Sequence, residues 1–256
     1  MSLADSVVLV TGGAGGLGEA AVRRVAAAGA AVVIADLADE KAEKLSADLG
    51  DRARYVRTDV TDEAAVANAV AEAGKLGTFR YAVVAHGGFG VAEKVVQRDG
   101  SPASLGGFTK TVDLYLTGTY NVLRIAAAAI AKTEPDEDGL RGAVVTTASI
   151  AAYEGQIGQI AYSAAKAGVV GMTLVAARDL GSLGVRVVTI APGTMRTPIM
   201  EQVGEDALAK FAANIPGPKR LGKPEEYAGL VEHILVNPYL NGETIRLDGA
   251  QRFGPR

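Results

Sequence analysis

The feature that most constrains this chain is a repeated alternation of short β-branched runs with longer, Ala-rich amphipathic stretches. Residues 7–10, 31–36, 55–58, 81–85, 143–148, 185–190 and 244–247 read as strands. Residues 16–28 (closed by Gly29), 39–49, 62–75, 108–132, 160–180 and 224–236 have the period and length of helices. Short apolar runs without polar alternation are buried on both faces, as in a parallel sheet. Strand–helix alternation then requires right-handed crossovers, which gives a doubly wound, Rossmann-like α/β sheet. No linker and no repeat beyond that rhythm interrupts the 256 residues, so one domain over 1–256 is expected. Two irregular stretches stand out, 98–107, rich in Gly and Ser, and 194–218, punctuated by Thr, Pro and Gly. Long loops at the carboxyl ends of strands line the ligand site in such sheets, so 194–218 is read as a substrate loop.

Composition removes several chemistries. With no cysteine there is no disulfide framework, thiol nucleophile or cysteine metal site. Two isolated histidines, His86 and His233, are too few for a histidine-built metal centre, so no metal is expected. A net charge of −3 gives no electrostatic reason to expect nucleic acid or an anionic membrane as partner. Uninterrupted apolar runs stop short of the ~20 residues of a bilayer span. The opening Met1-Ser2-Leu3-Ala4-Asp5 carries no basic presequence, so a cytoplasmic location is expected.

The glycine-rich segment Thr11-Gly12-Gly13-Ala14-Gly15-Gly16-Leu17-Gly18 follows the first strand and opens the first helix. Glycines there let the backbone turn sharply and approach a pyrophosphate, whose charge sits at a helix N-terminus. Asp36 ends the second strand, 18 residues beyond Gly18. Its carboxylate suits the hydroxyls of an adenosine ribose and repels a 2′-phosphate, so the cofactor expected is NAD rather than NADP. Asp59 and Val60 are candidates to pin the adenine through a side chain and a backbone amide. Asp59 is equally a candidate cap for the helix near Asp62.

Ser149 closes a strand 13 residues before Tyr162, and Tyr162 and Lys166 are i and i+4 on one helix face. A phenol with a pKa of about 10 is a poor base near neutrality. A nearby ammonium and a positive nicotinamide ring stabilise the phenolate and bring it into the working range. Ser149 can donate a hydrogen bond to the substrate oxygen.

Together, Thr11-Gly12-x-x-x-Gly16-x-Gly18, Ser149, Tyr162-x-x-x-Lys166 and Pro192-Gly193 resemble the signature set of the short-chain dehydrogenase/reductases, in order and spacing along essentially the whole chain. That resemblance implies a sheet of seven strands and direct hydride transfer without metal. It also implies that Lys166 holds the nicotinamide ribose, and that Pro192, Gly193 and Thr197 fix the carboxamide. The stretches 133–136, 153–159, 237–243 and 246–250 are similar to the type II 3-hydroxyacyl-CoA dehydrogenase branch of that family, as is an insertion at 98–107. The branch is NAD-linked and usually tetrameric, and it oxidises secondary alcohols on acyl-CoA and steroid substrates. Interconversion of a 3-hydroxyacyl-CoA and its 3-oxo form is therefore expected, with a steroid or other hydrophobic alcohol as the alternative. Tetramerisation would pack the helix at 108–132, with its Ala-rich run 125–131, and the Tyr162 helix against their copies; the segment 249–256 is a further candidate to lie along a neighbour.

Two departures from the family pattern bear on the site. Ala85-His86-Gly87-Gly88 replaces Asn-Asn-Ala-Gly as a cofactor wall, with His86 expected as a hydrogen-bonded structural side chain. Tyr115 stands where the family places an Asn that holds a relay water on Lys166. Either its hydroxyl holds that water or its ring takes the water's place, and an altered relay predicts faster turnover in Tyr115→Asn. These departures also motivate a reading from another class, a non-catalytic NAD-binding sensor module.

Overall fold

The computed structural model describes residues 2–88 and 90–255. Seven strands, β1 Val7–Thr11, β2 Ala31–Asp36, β3 Ala53–Arg57, β4 Phe79–Val84, β5 Gly142–Thr147, β6 Val185–Pro192 and β7 Thr244–Leu247, form one parallel sheet. Their order is β3-β2-β1-β4-β5-β6-β7. The winding reverses between β1 and β4, which pair in register at Val10 with Val83 and Thr11 with Val84. The crevice beyond the carboxyl ends of these two strands is therefore the switch point at which such sheets hold ligands.

The helices are α1 Gly16–Ala27, α2 Asp39–Leu49, α3 Glu63–Leu76, α4 Leu105–Val112, α5 Gly118–Ile130, α6 Ile160–Gly181, α7 Pro198–Glu201, α8 Glu205–Ala213 and α9 Pro224–Val236. Successive strand residues point to opposite faces. Val8, Val10, Ile34, Val83, Val145 and Val188 pack into a layer with α1, α2 and α9. Leu9, Val33, Ala82, Val84, Val144 and Val187 enter the opposite layer, closed by α3, α5 and α6. Burial on both faces holds for β1, β5 and β6, whereas the edge strands β3 and β7 are only partly buried. An edge strand has one neighbour, so its outer rim meets water.

Most expected elements stand within one or two residues of their observed ends. The single helix expected at 108–132 is a correction. It starts at Leu105, is broken by a π-helical turn at Asp113–Thr117, and ends at Ile130. A π turn inserts one residue into the i→i−4 ladder and is common at functional sites. The substrate loop 194–218 is also less irregular than its composition suggests, because it contains α7 and α8.

α6 is, by length and composition, long and apolar enough to cross a membrane, and a third of its most apolar window is buried. It packs on β6 and buries Lys166, so it serves as a layer of this fold. Its outer side leaves Leu174 and Val175 exposed.

At the end of the sheet opposite the crevice, fully buried Arg186 of β6 caps α9. Its guanidinium donates to the carbonyls of Ile234 (3.0 Å), Leu235 (2.9 Å) and Leu240 (2.8 Å). The carbonyls of Ile234 and Leu235 belong to the last turn of α9, where no helical donor reaches. Arg186→Met strands two buried acceptors and one part-buried one and should lower stability by on the order of 3 kcal/mol. Urea unfolding checks this; a loss below about 1 kcal/mol would show that water or a repacked chain replaces the donor.

Candidate active site

Backbone atoms already occupy the places that side chains would take in the β1–α1 turn. Gly12 has φ +65°, and a Cβ there would lie 2.5 Å from the His86 Cα. A Cβ on Gly18 would lie 2.0 Å from the Gly12 carbonyl oxygen. Leu17, between them, packs partly buried against the α1 layer. Gly15, the residue before α1, offers no side-chain cap, so the first-turn amides of that helix are left for another acceptor. A Cβ on Gly16 would come within 2.8 Å of Thr197, so the substrate loop closes against the glycine turn. Thr197 also caps α7 through the Met200 amide (3.3 Å). A narrow cradle of bare backbone at a helix N-terminus fits the pyrophosphate of a dinucleotide.

Asp36 ends β2 beside that cradle. Its Oδ2 accepts from the Ala14 amide (2.9 Å), and its Oδ1 from the amides of Leu37 (2.7 Å) and Ala38 (2.9 Å). The carboxylate is thereby fixed in orientation, with lone-pair capacity left on Oδ2 for a ribose hydroxyl. Asp59 is exposed and holds its own turn, accepting from the amide and hydroxyl of Thr61 (2.9 and 2.7 Å), which keep its carboxyl below the usual range. The cap of α3 is Asp62, not Asp59. Buried Val60 is positioned by Asn121 of α5, which donates to its carbonyl at 2.9 Å.

The wall at the end of β4 is set by Ala85, whose amide donates to Thr11 O (3.1 Å), and by His86. His86 Nε2 lies 3.1 Å from the Leu114 carbonyl and Nδ1 lies 2.9 Å from Thr11 Oγ1. A carbonyl only accepts, so Nε2 carries the proton and Nδ1 accepts from the threonine. Burial, with a smaller contribution from the Lys166 charge, pushes His86 down to about 4. It stands as the hydrogen-bonded structural side chain expected of it.

Across the crevice, Ser149, Tyr162, Lys166 and Tyr115 come together. Ser149 follows β5, its hydroxyl accepts from the Ala151 amide (3.1 Å), and it hydrogen-bonds Tyr162. Burial raises the Tyr162 phenol, against which the Ser149 hydrogen bond pulls downward. Lys166 is 4% exposed and donates to the Thr147 carbonyl at 2.7 Å. Burial brings its ammonium down to about 7. The Tyr115 ring stands nearly perpendicular to that of Tyr162, 83° apart with centroids separated by 5.0 Å. The Tyr115 hydroxyl does not reach toward Lys166: it accepts from the Gly88 amide (3.0 Å) and donates to the Gly88 carbonyl.

Pro192 ends β6 and Gly193 follows it, where a Cβ would lie 2.8 Å from Asp248 Cβ. The residue that sequence reasoning missed is Gln251, 1% exposed. Its Oε1 accepts from the amide (2.9 Å) and hydroxyl (3.1 Å) of Thr194, which ties the chain's end to the start of the substrate loop. Nothing in local pattern marks a lone glutamine beyond the last strand. The described part of the segment 249–256 packs on its own chain: Pro255 O accepts from the Ile157 amide (3.0 Å), and Arg256 lies outside the described residues. Nearby, Arg246 clasps Glu154 through two bonds of 2.7 and 2.8 Å and reaches Asp248 at 2.8 Å. Among the described residues no cluster of His, Asp and Glu could hold a metal ion.

The chain is similar to known proteins over nearly its whole length. The family model described as Enoyl-(Acyl carrier protein) reductase matches residues 12–250. The chain is 45% identical to the 3-hydroxyacyl-CoA dehydrogenase type-2 of Homo sapiens over 256 residues, covering 99% of this chain and 98% of that one. It is 46% identical to the protein of the same name from Drosophila melanogaster, covering 98% and 99%. A crystal structure of 3-hydroxyacyl-CoA dehydrogenase type-2 from Mycobacterium avium superposes with a TM-score of 0.95 at 65% identity, over 98% of each chain.

His86 generates a pH test. Its folded pKa lies below the unfolded value of about 6.5. Its contribution to stability is therefore complete above pH 6.5 and lost as pH falls toward 4, because the unfolded chain binds the proton first. The loss amounts to roughly 3 kcal/mol over that window. Chemical unfolding at pH 7 and pH 4.5 should show this decline in the wild type and a much shallower one in His86→Gln. Equal slopes would mean that His86 is charged in the folded protein.

Proposed function

The chain belongs to the short-chain dehydrogenase/reductase family and is an oxidoreductase using a nicotinamide cofactor; from that premise we propose that it is NAD-linked and interconverts a 3-hydroxyacyl-CoA and the 3-oxoacyl-CoA. The observation that carries this reading is the meeting of Ser149, Tyr162 and Lys166 at the carboxyl ends of β5 and β6, opposite the glycine cradle and Asp36. The first-turn amides of α1 would hold the pyrophosphate, Asp36 would take the adenosine ribose, and Lys166 would offer a remaining N–H to the nicotinamide ribose. Pro192, Gly193 and Thr197 would hold the carboxamide, and Asp59, Val60 and Ala85 would border the adenosine. The nicotinamide, when bound, supplies the hydride acceptor. Ser149 orients the substrate oxygen and Tyr162 takes the hydroxyl proton. Burial alone holds Tyr162 as the neutral phenol, so positive charge beside it is required to bring the phenolate within reach.

The choice of NAD rests on Asp36, whose fixed carboxylate repels a 2′-phosphate. The choice of substrate rests on the named relatives and on a cleft of about 400 Å³ beside the first turn of α6. Apolar Val95, Ile157 and Ile160 line that cleft together with Glu93, Lys94 and Gln156, which suits an acyl chain carrying a polar end. The exposed apolar side of α6, continued by Tyr120 of α5, supports a homotetramer built on these two helices. The reading places the enzyme in the cytoplasm and involves neither nucleic acid nor membrane in its work.

NADH absorbance should rise with 3-hydroxyacyl-CoA esters and far less with steroid alcohols. Tyr162→Phe should cut kcat by roughly 10²–10⁴-fold while NADH binding persists. Binding of NADH without turnover of any ester or steroid would leave only a sensor role. Asp36→Ala should weaken NAD binding about 10- to 100-fold relative to NADP. An unchanged NAD/NADP ratio would remove Asp36 from the cofactor site. Light scattering should give a mass near four times 26.2 kDa, and a single 26.2 kDa species would end the tetramer proposal.

A further inference from the structure

Lys166 is a buried ammonium whose surroundings are almost entirely neutral. From β5 it meets the Thr147 carbonyl, and from its own helix the Tyr162 ring, with Nζ 5.8 Å from the centroid. From the end of β4 it meets His86, which is uncharged at neutral pH. Charged side chains on the other packed elements turn away: Asp113 of the π turn and Lys110 of α4 are exposed, and Arg124 of α5 pairs with Glu63. Among the described residues no carboxylate pairs with Lys166. The group closest to a counter-charge is the Tyr115 ring, with Nζ 4.7 Å from its centroid. An aromatic face presents negative potential to a cation within about 6 Å, and the attraction grows when water is excluded.

The ring is held for that contact from both ends. Its hydroxyl accepts from the amide of Gly88 and donates to its carbonyl, while Lys166, which can only donate, bonds the Thr147 carbonyl instead. The chain passes close along its edges, where a Cβ on Gly87 or Gly90 would be 3.5 and 3.6 Å from the ring carbons. The π turn supplies the backbone position, and His86 fixes that turn by donating to the Leu114 carbonyl beside Tyr115.

We propose that Tyr115 is a positioning residue whose ring face, not its hydroxyl, serves Lys166: the ring holds and stabilises the ammonium where this site has no carboxylate to do so. Tyr115 thereby shifts the pH at which Tyr162 can accept a proton, because a charged lysine stabilises the phenolate and a neutral one does not. The proton leaving Tyr162 does not pass through the Tyr115 hydroxyl, which the Gly88 backbone keeps occupied. This inference rests on reading Tyr162 and Lys166 as the proton-handling pair, but its first test involves neither substrate nor cofactor.

The test follows the ¹³Cε resonance of Lys166 against pH in cofactor-free protein, assigned by its disappearance in Lys166→Met. Wild type and Tyr115→Phe, which keeps the ring, should titrate together. Tyr115→Leu, of similar apolarity but without a π face, should titrate about one pH unit lower, a tenfold weaker hold on the proton. Fluorinated phenylalanines at position 115 keep the shape and weaken the ring's negative face, so they should lower the midpoint stepwise with fluorine number. That series decides the matter if Tyr115→Leu does not fold. Tyr115→Leu titrating with wild type, a flat fluorine series, or Tyr115→Phe falling with Tyr115→Leu would each overturn the proposal. In turnover, the ascending limb of kcat/KM for alcohol oxidation should move to higher pH in Tyr115→Leu and keep its position in Tyr115→Phe. A protein inactive on every ester would sink the assigned reaction and leave the lysine titration standing.

Discussion

The arrangement around the crevice depends on one burial: the ammonium of Lys166, carried by α6 to the carboxyl end of β5. A charge this enclosed is costly unless something offsets its desolvation. Two features of the fold do so, and a third is left to a ligand. The β5 backbone offers the Thr147 carbonyl at 2.7 Å, the π turn presents the Tyr115 ring, and a third N–H remains free for a ribose hydroxyl. Since the first two are incomplete compensation, the site is poised to gain from whatever supplies the third. On the proposed reading, cofactor binding and proton chemistry are thus coupled through a single side chain.

The parallel sheet brings these groups together from distant parts of the sequence. β1, β4, β5 and β6 all end on the same side, so the turns after them converge whatever their separation along the chain. Thr11 from the end of β1 reaches His86 after β4, and His86 reaches Leu114 in the π turn. Tyr115 follows at once and closes on Tyr162 and Lys166. The glycine turn and the proton-handling pair are therefore joined by a continuous chain of hydrogen bonds and ring contacts. Neutral His86 is its pivot, because protonating Nδ1 would remove the acceptor that Thr11 needs.

Much of this was legible in the sequence, for physical reasons that also mark the limit. The strands were readable because a parallel strand buried on both faces must be uniformly apolar, as 185–190 is. Gly12, Gly18, Asp36, Ser149, Tyr162 and Lys166 were readable because spacing on a strand end or helix face fixes which side chains meet. The π turn was not, since Asp113–Thr117 has ordinary helical composition and its extra residue is a matter of tertiary contact with His86 and Gly88. Tyr115 could be singled out as a departure, but its orientation could not, because a phenol can present either its hydroxyl or its face. Gln251 lay beyond reach for a related reason: its partner Thr194 is 57 residues away.

Gln251 shows how the end of the chain takes part in the cleft. A buried glutamine is tolerated only when its polar atoms are used, and its Oε1 is used twice on Thr194. Thr194 begins the loop whose Thr197 rests on Gly16, within the distance a single methyl group would need. Arg246, clasping Glu154 after the Ser149 turn, also donates to the Gln251 carbonyl. The residues after β7 therefore brace the Ser149 side and the loop side of the crevice at once. The loop is thus held at its root by buried hydrogen bonds and carries its own small apolar cluster of Leu208, Ile215 and Leu221, while much of its two short helices stays exposed.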